Sequence, residues 1–191
     1  MKRQAFVALG MLLAMTVITG LAYPLLVTLT AKLLMPERAD GSLITRDGRC
    51  IGSTLIGQSF IGKGYFHGRP SASGYMAMPS AASNAGPTSA LLDGESDERR
   101  DSYRQAHALP GDLAVPVEML FASGSGLDPH ISPEAARNQQ VLIARVRGIP
   151  PPVVDSLITA GTERRQWGFL GQPRLNVLLL NLALDARSER K

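Results

Sequence analysis

The sequence predicts one mixed α/β or α+β domain carried on a single N-terminal transmembrane helix. Three observations support this. An uncharged apolar run lies near the N-terminus, the composition turns polar after Met35-Pro36, and strand and helix signals alternate along the remainder. A chain of 191 residues holds one ordinary domain and an anchor, but not comfortably two domains. The expected division is an anchor over residues 1–35 and one compact domain over residues 36–191.

The anchor comes first. Ala5 to Ala31 contributes 27 residues without a charge. At about 1.5 Å per residue this run reaches about 40 Å, more than a hydrocarbon core of about 30 Å. A signal-peptide apolar region is about half as long, and no clear A-x-A cleavage site follows. Pro24 predicts a kink or a lost backbone hydrogen bond inside the span. Thr16, Thr19 and Gly20 form a small, polar face of the kind that lets transmembrane helices approach closely. Lys2 and Arg3 precede the span, while Lys32, Arg38, Arg46 and Arg49 follow it, so a count of basic residues does not orient it. A short basic head before a long apolar run is how export signals begin, which favours a cytoplasmic N-terminus and an external domain.

In the domain, Asp47-Gly48 is a two-residue hairpin signal flanked by Leu43–Thr45 and Arg49–Ile51. Leu55-Ile56 and Phe60-Ile61, set among glycines, suggest short bent strands. Gly74 to Pro87 reads as an extended loop. The charge-dense stretch Asp97 to His107 suggests an exposed helix ending before Pro110-Gly111. Ser132-Pro133-Glu134 starts a helix with a cap, a first-turn proline and an acid at the positive end, and Gly148 stops it after Arg147. A second helix is expected over Val153 to Ala160, closed by Gly161. The apolar tail Arg174 to Leu184 suggests a buried strand running into a short final helix.

Composition excludes several functions. Formal net charge is +4 and spread thinly, with no basic run interleaved with aromatics, so nucleic acid is not an expected partner. The lone Cys50 rules out an intramolecular disulfide and a multi-cysteine zinc site. His67, His107 and His130 lack ligand spacing, so no metal and no cofactor is expected. Gly57 to Gly64 matches G-x-x-x-x-G-K and then fails, because Gly64 stands where a magnesium-binding Ser or Thr is needed and poor helix material follows. The better reading is a glycine-bent loop presenting Tyr65, Phe66, His67 and Arg69. A hydrolase using Ser123 or Ser125 with His130 and Asp128 is the alternative function, weakened because eight contiguous residues seldom fold into a triad. Gln139 and Gln140 on the capped helix carry no chemistry by themselves.

The matching strings extend over nearly the whole chain: TGLAYPLLVT (Thr19–Thr28), GSTLIGQSFIGKGYFHGRPSAS (Gly52–Ser73), SNAGPTS (Ser83–Ser89), PVEMLFASGSGLDPHISPEAA (Pro116–Ala136) and GFLGQPRLNVLLLNLALD (Gly168–Asp185). In these the sequence resembles the KdpC family, the C subunits of Kdp-type potassium-transporting P-type ATPases. The resemblance implies an accessory, non-catalytic subunit in the inner membrane with its domain in the periplasm. The implied partners are a channel-like potassium-binding subunit, a P-type ATPase subunit and a small hydrophobic subunit. It also implies a catalytic chaperone role that raises the ATP affinity of the ATPase subunit, linked to a glutamine in an A-A-x-x-Q helix. That position here is Gln139, and Leu142 stands nearby where an arginine is often found. ATP enters only through the ATPase subunit, since an external domain cannot meet cytoplasmic nucleotide. With that topology Tyr65, Phe66, His67, Arg69, Ser123, Ser125, Asp128 and His130 become candidates for docking on a partner.

Overall fold

The computed structural model describes residues 2–111 and 113–188. The chain divides into two units, residues 1–51 and residues 52–191.

In the first unit, α1 (Lys2–Val17), a π-helical turn (Ile18–Ala22) and α2 (Tyr23–Leu34) join into one helix of 33 residues, Lys2–Leu34. No residue of it is buried, although nearly all of it is apolar, which is the pattern of a helix solvated by lipid. Pro24 explains the wide turn. Its missing N–H and its ring disfavour a tight ladder one turn back, and the Tyr23 N–H donates to Ile18 O, five residues earlier. The hydroxyls of Thr16 and Thr19 donate to Leu12 O at 2.8 Å and Met15 O at 2.7 Å, so each is satisfied within its own helix. A short helix α3 (Pro36–Ala39) follows.

The predicted hairpin is present as β1 (Leu43–Arg46) and β2 (Arg49–Ser53). Asp47 at φ 52° and Gly48 at φ 75° both take positive φ, as a primed two-residue turn requires.

The second unit is built on helices α4 (Ala90–His107), α5 (Pro133–Arg147), α6 (Pro151–Gly161) and α7 (Val177–Ser188). Helix α5 packs on α4 and α6, and α6 packs on α7. A two-residue pair of strands, β3 (His130–Ile131) and β4 (Leu175–Asn176), runs antiparallel with His130 opposite Asn176. Phe66, Ile131, Ile143, Val154, Ile158, Leu175 and Leu184 are the large apolar side chains at the centre of the core. Helix α5 has the predicted bounds, with the Ala135 N–H donating to Ser132 Oγ at 3.1 Å and Gly148 closing it at φ 62°.

Two sequence expectations are corrected. Leu55-Ile56 and Phe60-Ile61 are not strands, because the glycines around them serve a close-packed loop. Helix α4 starts at Ala90, seven residues before Asp97, and buries Ser96, Tyr103 and His107 on one face. The apolar tail runs as expected from a buried strand, β4, into a helix, α7, which takes most of its length. Val177, Leu178, Leu180, Asn181 and Leu184 are buried while Leu179 is exposed, a spacing of three and four that a strand cannot produce.

Candidate functional site

The loop from Gly57 to Pro70 has no regular structure, so its backbone needs partners elsewhere. Two buried amides supply them. Asn181 on α7 accepts from the Phe66 N–H at 2.8 Å and donates to Phe66 O at 3.0 Å. Gln139 on α5 does the same for the next residue, accepting from the His67 N–H at 2.8 Å and donating to His67 O at 3.2 Å. Each side chain copies the hydrogen-bonding edge of a neighbouring strand, and together they fix two consecutive residues of the loop.

Arg147, at the end of α5, adds a third hold. Its Nε donates to Gly64 O at 2.7 Å and its Nη1 to Asp185 at 2.6 Å, while its guanidinium lies 4.4 Å from the Tyr65 ring centre. A side chain at Gly64 would crowd this arginine, with a Cβ 3.1 Å from Nε.

The segment 123–130 lies directly against this loop. The Gly57 N–H donates to Leu127 O at 2.7 Å, and the Ser123 N–H to Pro70 O at 3.0 Å. Arg69 and Asp128 form an ion pair at 3.1 Å. Asp128 also accepts from the His130 N–H at 3.0 Å, and its carboxylate lies 3.6 Å from His130 Nδ1. Burial pushes the Asp128 carboxyl upward. The hydrogen bonds from His130 and the charge and hydrogen bond of Arg69 outweigh it and hold Asp128 below the usual carboxylate range. Arg69, Asp128 and His130 line one end of a cleft of about 710 Å³, which also includes Glu134, Glu163 and Arg174.

Beside the loop, α4 buries two polar side chains, Tyr103 and His107. The His107 ring lies 4.3 Å from that of Tyr103 and meets the His67 ring edge-on at 5.9 Å. Burial, followed by the neighbouring His67, lowers His107 from its ordinary value to about 4, so it is neutral at pH 7. Burial also raises the Tyr103 hydroxyl far above its ordinary value, keeping it protonated.

Residues 5–186 match the family described as "KdpC: K+-transporting ATPase, c chain". The chain belongs to the KdpC family. Proteins named "Potassium-transporting ATPase KdpC subunit" are similar along almost their whole length. That of Methylococcus capsulatus is 54% identical over 183 residues, covering 94% of this chain and 95% of the relative. That of Cereibacter sphaeroides is 51% identical over 179 residues with the same coverage. That of Gemmatimonas aurantiaca is 50% identical, covering 95% of this chain and 92% of the relative.

Within this KdpC fold, the two loops singled out from sequence pack against each other. Tyr65, His67, Arg69, Asp128 and His130 are part-buried there and Ser125 is exposed. Phe66 and Ser123 correct the expectation of presented side chains. Phe66 is 0% exposed and Ser123 is 3% exposed, so the first anchors the loop in the core and the second serves its packing. Gln139 is 0% exposed, with its amide committed to His67.

Among the described residues no hydrogen bond joins Ser123 or Ser125 to His130, and the Ser125 hydroxyl accepts from the Leu127 N–H at 3.1 Å. The phosphate-loop match fails structurally as well, because no helix opens after Gly64. Gly57 serves close approach instead, since a Cβ there would lie 2.5 Å from Asp128 O. Asn181 and Arg147 escaped sequence reasoning. The only trace of Asn181 was a polar residue inside an apolar run, and its partner lies 115 residues away.

Proposed function

We propose that this chain is a non-catalytic accessory subunit of an ATP-driven, high-affinity potassium uptake complex. It is held in the inner membrane by its single helix, with the N-terminus cytoplasmic and the domain periplasmic. The observation that carries the proposal is family membership over residues 5–186, with relatives named as subunits of a potassium-transporting ATPase. The geometry agrees with a docking role. Gln139, Asn181 and Arg147 spend their polar groups holding a loop in place, and the surface so fixed presents Tyr65, Arg69, Asp128 and His130. The proposed partners are a channel-like potassium-binding subunit, a P-type ATPase subunit that carries ATP hydrolysis, and a small hydrophobic subunit.

The catalytic-chaperone role, raising the ATP affinity of the ATPase subunit, is part of the same proposal. Gln139 takes part in it through the loop it holds. A buried amide with both ends engaged reaches a ligand only by releasing His67.

An affinity tag on the full chain tests this reading. Membranes solubilised in mild detergent should yield the chain together with the potassium-binding and ATPase subunits. Isolation of the chain alone, with an esterase or peptidase turnover lost on Ser125→Ala, would favour the membrane-anchored hydrolase instead. Orientation is read separately with a membrane-impermeant thiol reagent on Cys50, which is exposed. Labelling with the inner membrane intact supports a periplasmic domain. A cysteine placed at Ala77, in the exposed loop, is the accessibility control.

A further inference from the structure

Residues 163–174 leave the domain as an antiparallel hairpin. Glu163 pairs with Arg174 and Gln166 with Leu170, each through two backbone hydrogen bonds of 2.9–3.1 Å. An Arg174–Glu163 ion pair at 2.9 Å and an Arg165–Gln172 hydrogen bond at 2.8 Å brace it. The tip is ordered, with the Gly168 N–H donating to Arg165 O at 3.1 Å. That ordered tip exposes Trp167 by 85%, Phe169 by 68% and Leu170 by 43%. Trp167 sits at φ 52°, in the left-handed region that a bulky side chain rarely adopts. An asparagine or glycine would make the turn more easily, so the hairpin holds an indole outward against both solvation and backbone preference.

We infer that this tip is a second, reversible membrane contact, in which Trp167, Phe169 and Leu170 enter the headgroup boundary and Arg164 and Arg165 meet anionic lipid phosphates. Charge favours this occupant. Arg174 neutralises Glu163 in the hairpin, leaving Arg164 and Arg165 as a net positive pair beside the aromatic tip. An amphipathic indole flanked by arginines is the interfacial combination, with the ring at headgroup depth and the guanidiniums reaching the phosphates. Size favours it as well. Three exposed apolar side chains on a projecting turn fall far short of the roughly 20–30 residues a side in a stable protein interface. A weak contact suffices here, because only 17 residues separate the end of the membrane-spanning helix at Leu34 from the unit beginning at Gly52. Tethering at that range gives the tip a high effective concentration at the bilayer, where a lone aromatic pair free in solution would bind marginally.

Trp167 is the only tryptophan, so its fluorescence reports the tip alone. The full chain is reconstituted in vesicles of phosphatidylcholine with or without an equal share of phosphatidylglycerol. With anionic lipid present, the emission should shift to the blue, acyl-brominated lipids should quench it, and iodide should lose access. Arg164→Ala together with Arg165→Ala should weaken insertion by about thirtyfold. Phe169→Ser should return Trp167 toward water with an unchanged circular dichroism spectrum. If the arginine variants fail to fold, raising salt on the unaltered chain should produce the same release. Aqueous emission with full iodide access in both lipids overturns the inference. So does a Trp167 that becomes shielded only when the other subunits of the complex are present, which would make the tip a protein contact.

Discussion

The side chains that matter most at the residue scale are amides rather than charged groups. Gln139 and Asn181 each satisfy both polar groups of one loop residue, and those residues, His67 and Phe66, are adjacent. Removing either amide leaves the N–H and C=O of a loop residue without these partners at a buried or part-buried site. Gln139→Ala or Asn181→Ala should each cost about 2–4 kcal/mol in urea unfolding. The double variant should lose less than the sum, because the loop is already released by the first change. Strict additivity would show that the two amides act independently. His107 gives a pH signature. Its folded value of about 4 lies below the ordinary 6.5, so the native state binds fewer protons than the unfolded chain. The stabilisation is full above pH 6.5 and is lost as pH falls toward about 4. Replacing it by Phe should flatten stability over that window, measured by thermal melts across pH. None of this was legible in the sequence, where Gln139 looked like a solvated helix position. Its partner lies 72 residues away, and no local pattern encodes that distance.

At the scale of elements, local chemistry was legible and tertiary chemistry was not. The Asp47-Gly48 turn and the Ser132 to Gly148 helix are written in short signals, a primed-turn dipeptide and a cap at each end, and both are present as read. The stretch from Leu55 to Ile61 misled, because Gly57 suggested a bend in a strand and instead permits backbone contact with the segment 123–130. The tail was legible in its order, a buried strand running into a helix, but not in how much of it each takes. A continuous apolar run has no periodicity to read, and only burial separated strand from helix. The glycine interpretation predicts a contrast. Gly57→Ala, whose Cβ would lie 2.5 Å from Asp128 O, should destabilise by about 1–3 kcal/mol. Gly86→Ala, in open space, should remain within about 0.5 kcal/mol of the parent. Equal melting temperatures for the two would show that the loops do not need to touch.

At the scale of the whole molecule, a membrane-spanning helix and a domain that packs two loops against each other belong to a KdpC-family subunit. The alternative centred on Ser125 and His130 needs the serine hydroxyl hydrogen-bonded to the imidazole, and among the described residues Ser125 instead serves a turn through Leu127. The anchor was legible from length and charge alone. The pairing of the two loops was legible only as two separate strings, because their contact through Arg69 and Asp128 spans 59 residues. On the proposed function the chain works as an assembled subunit rather than by its own chemistry. Potassium uptake at low external potassium, in cells lacking this chain, tests it most directly. Uptake should be lost, should return with the full chain, and should not return with residues 1–51 alone. Normal assembly and uptake without the chain would contradict the account.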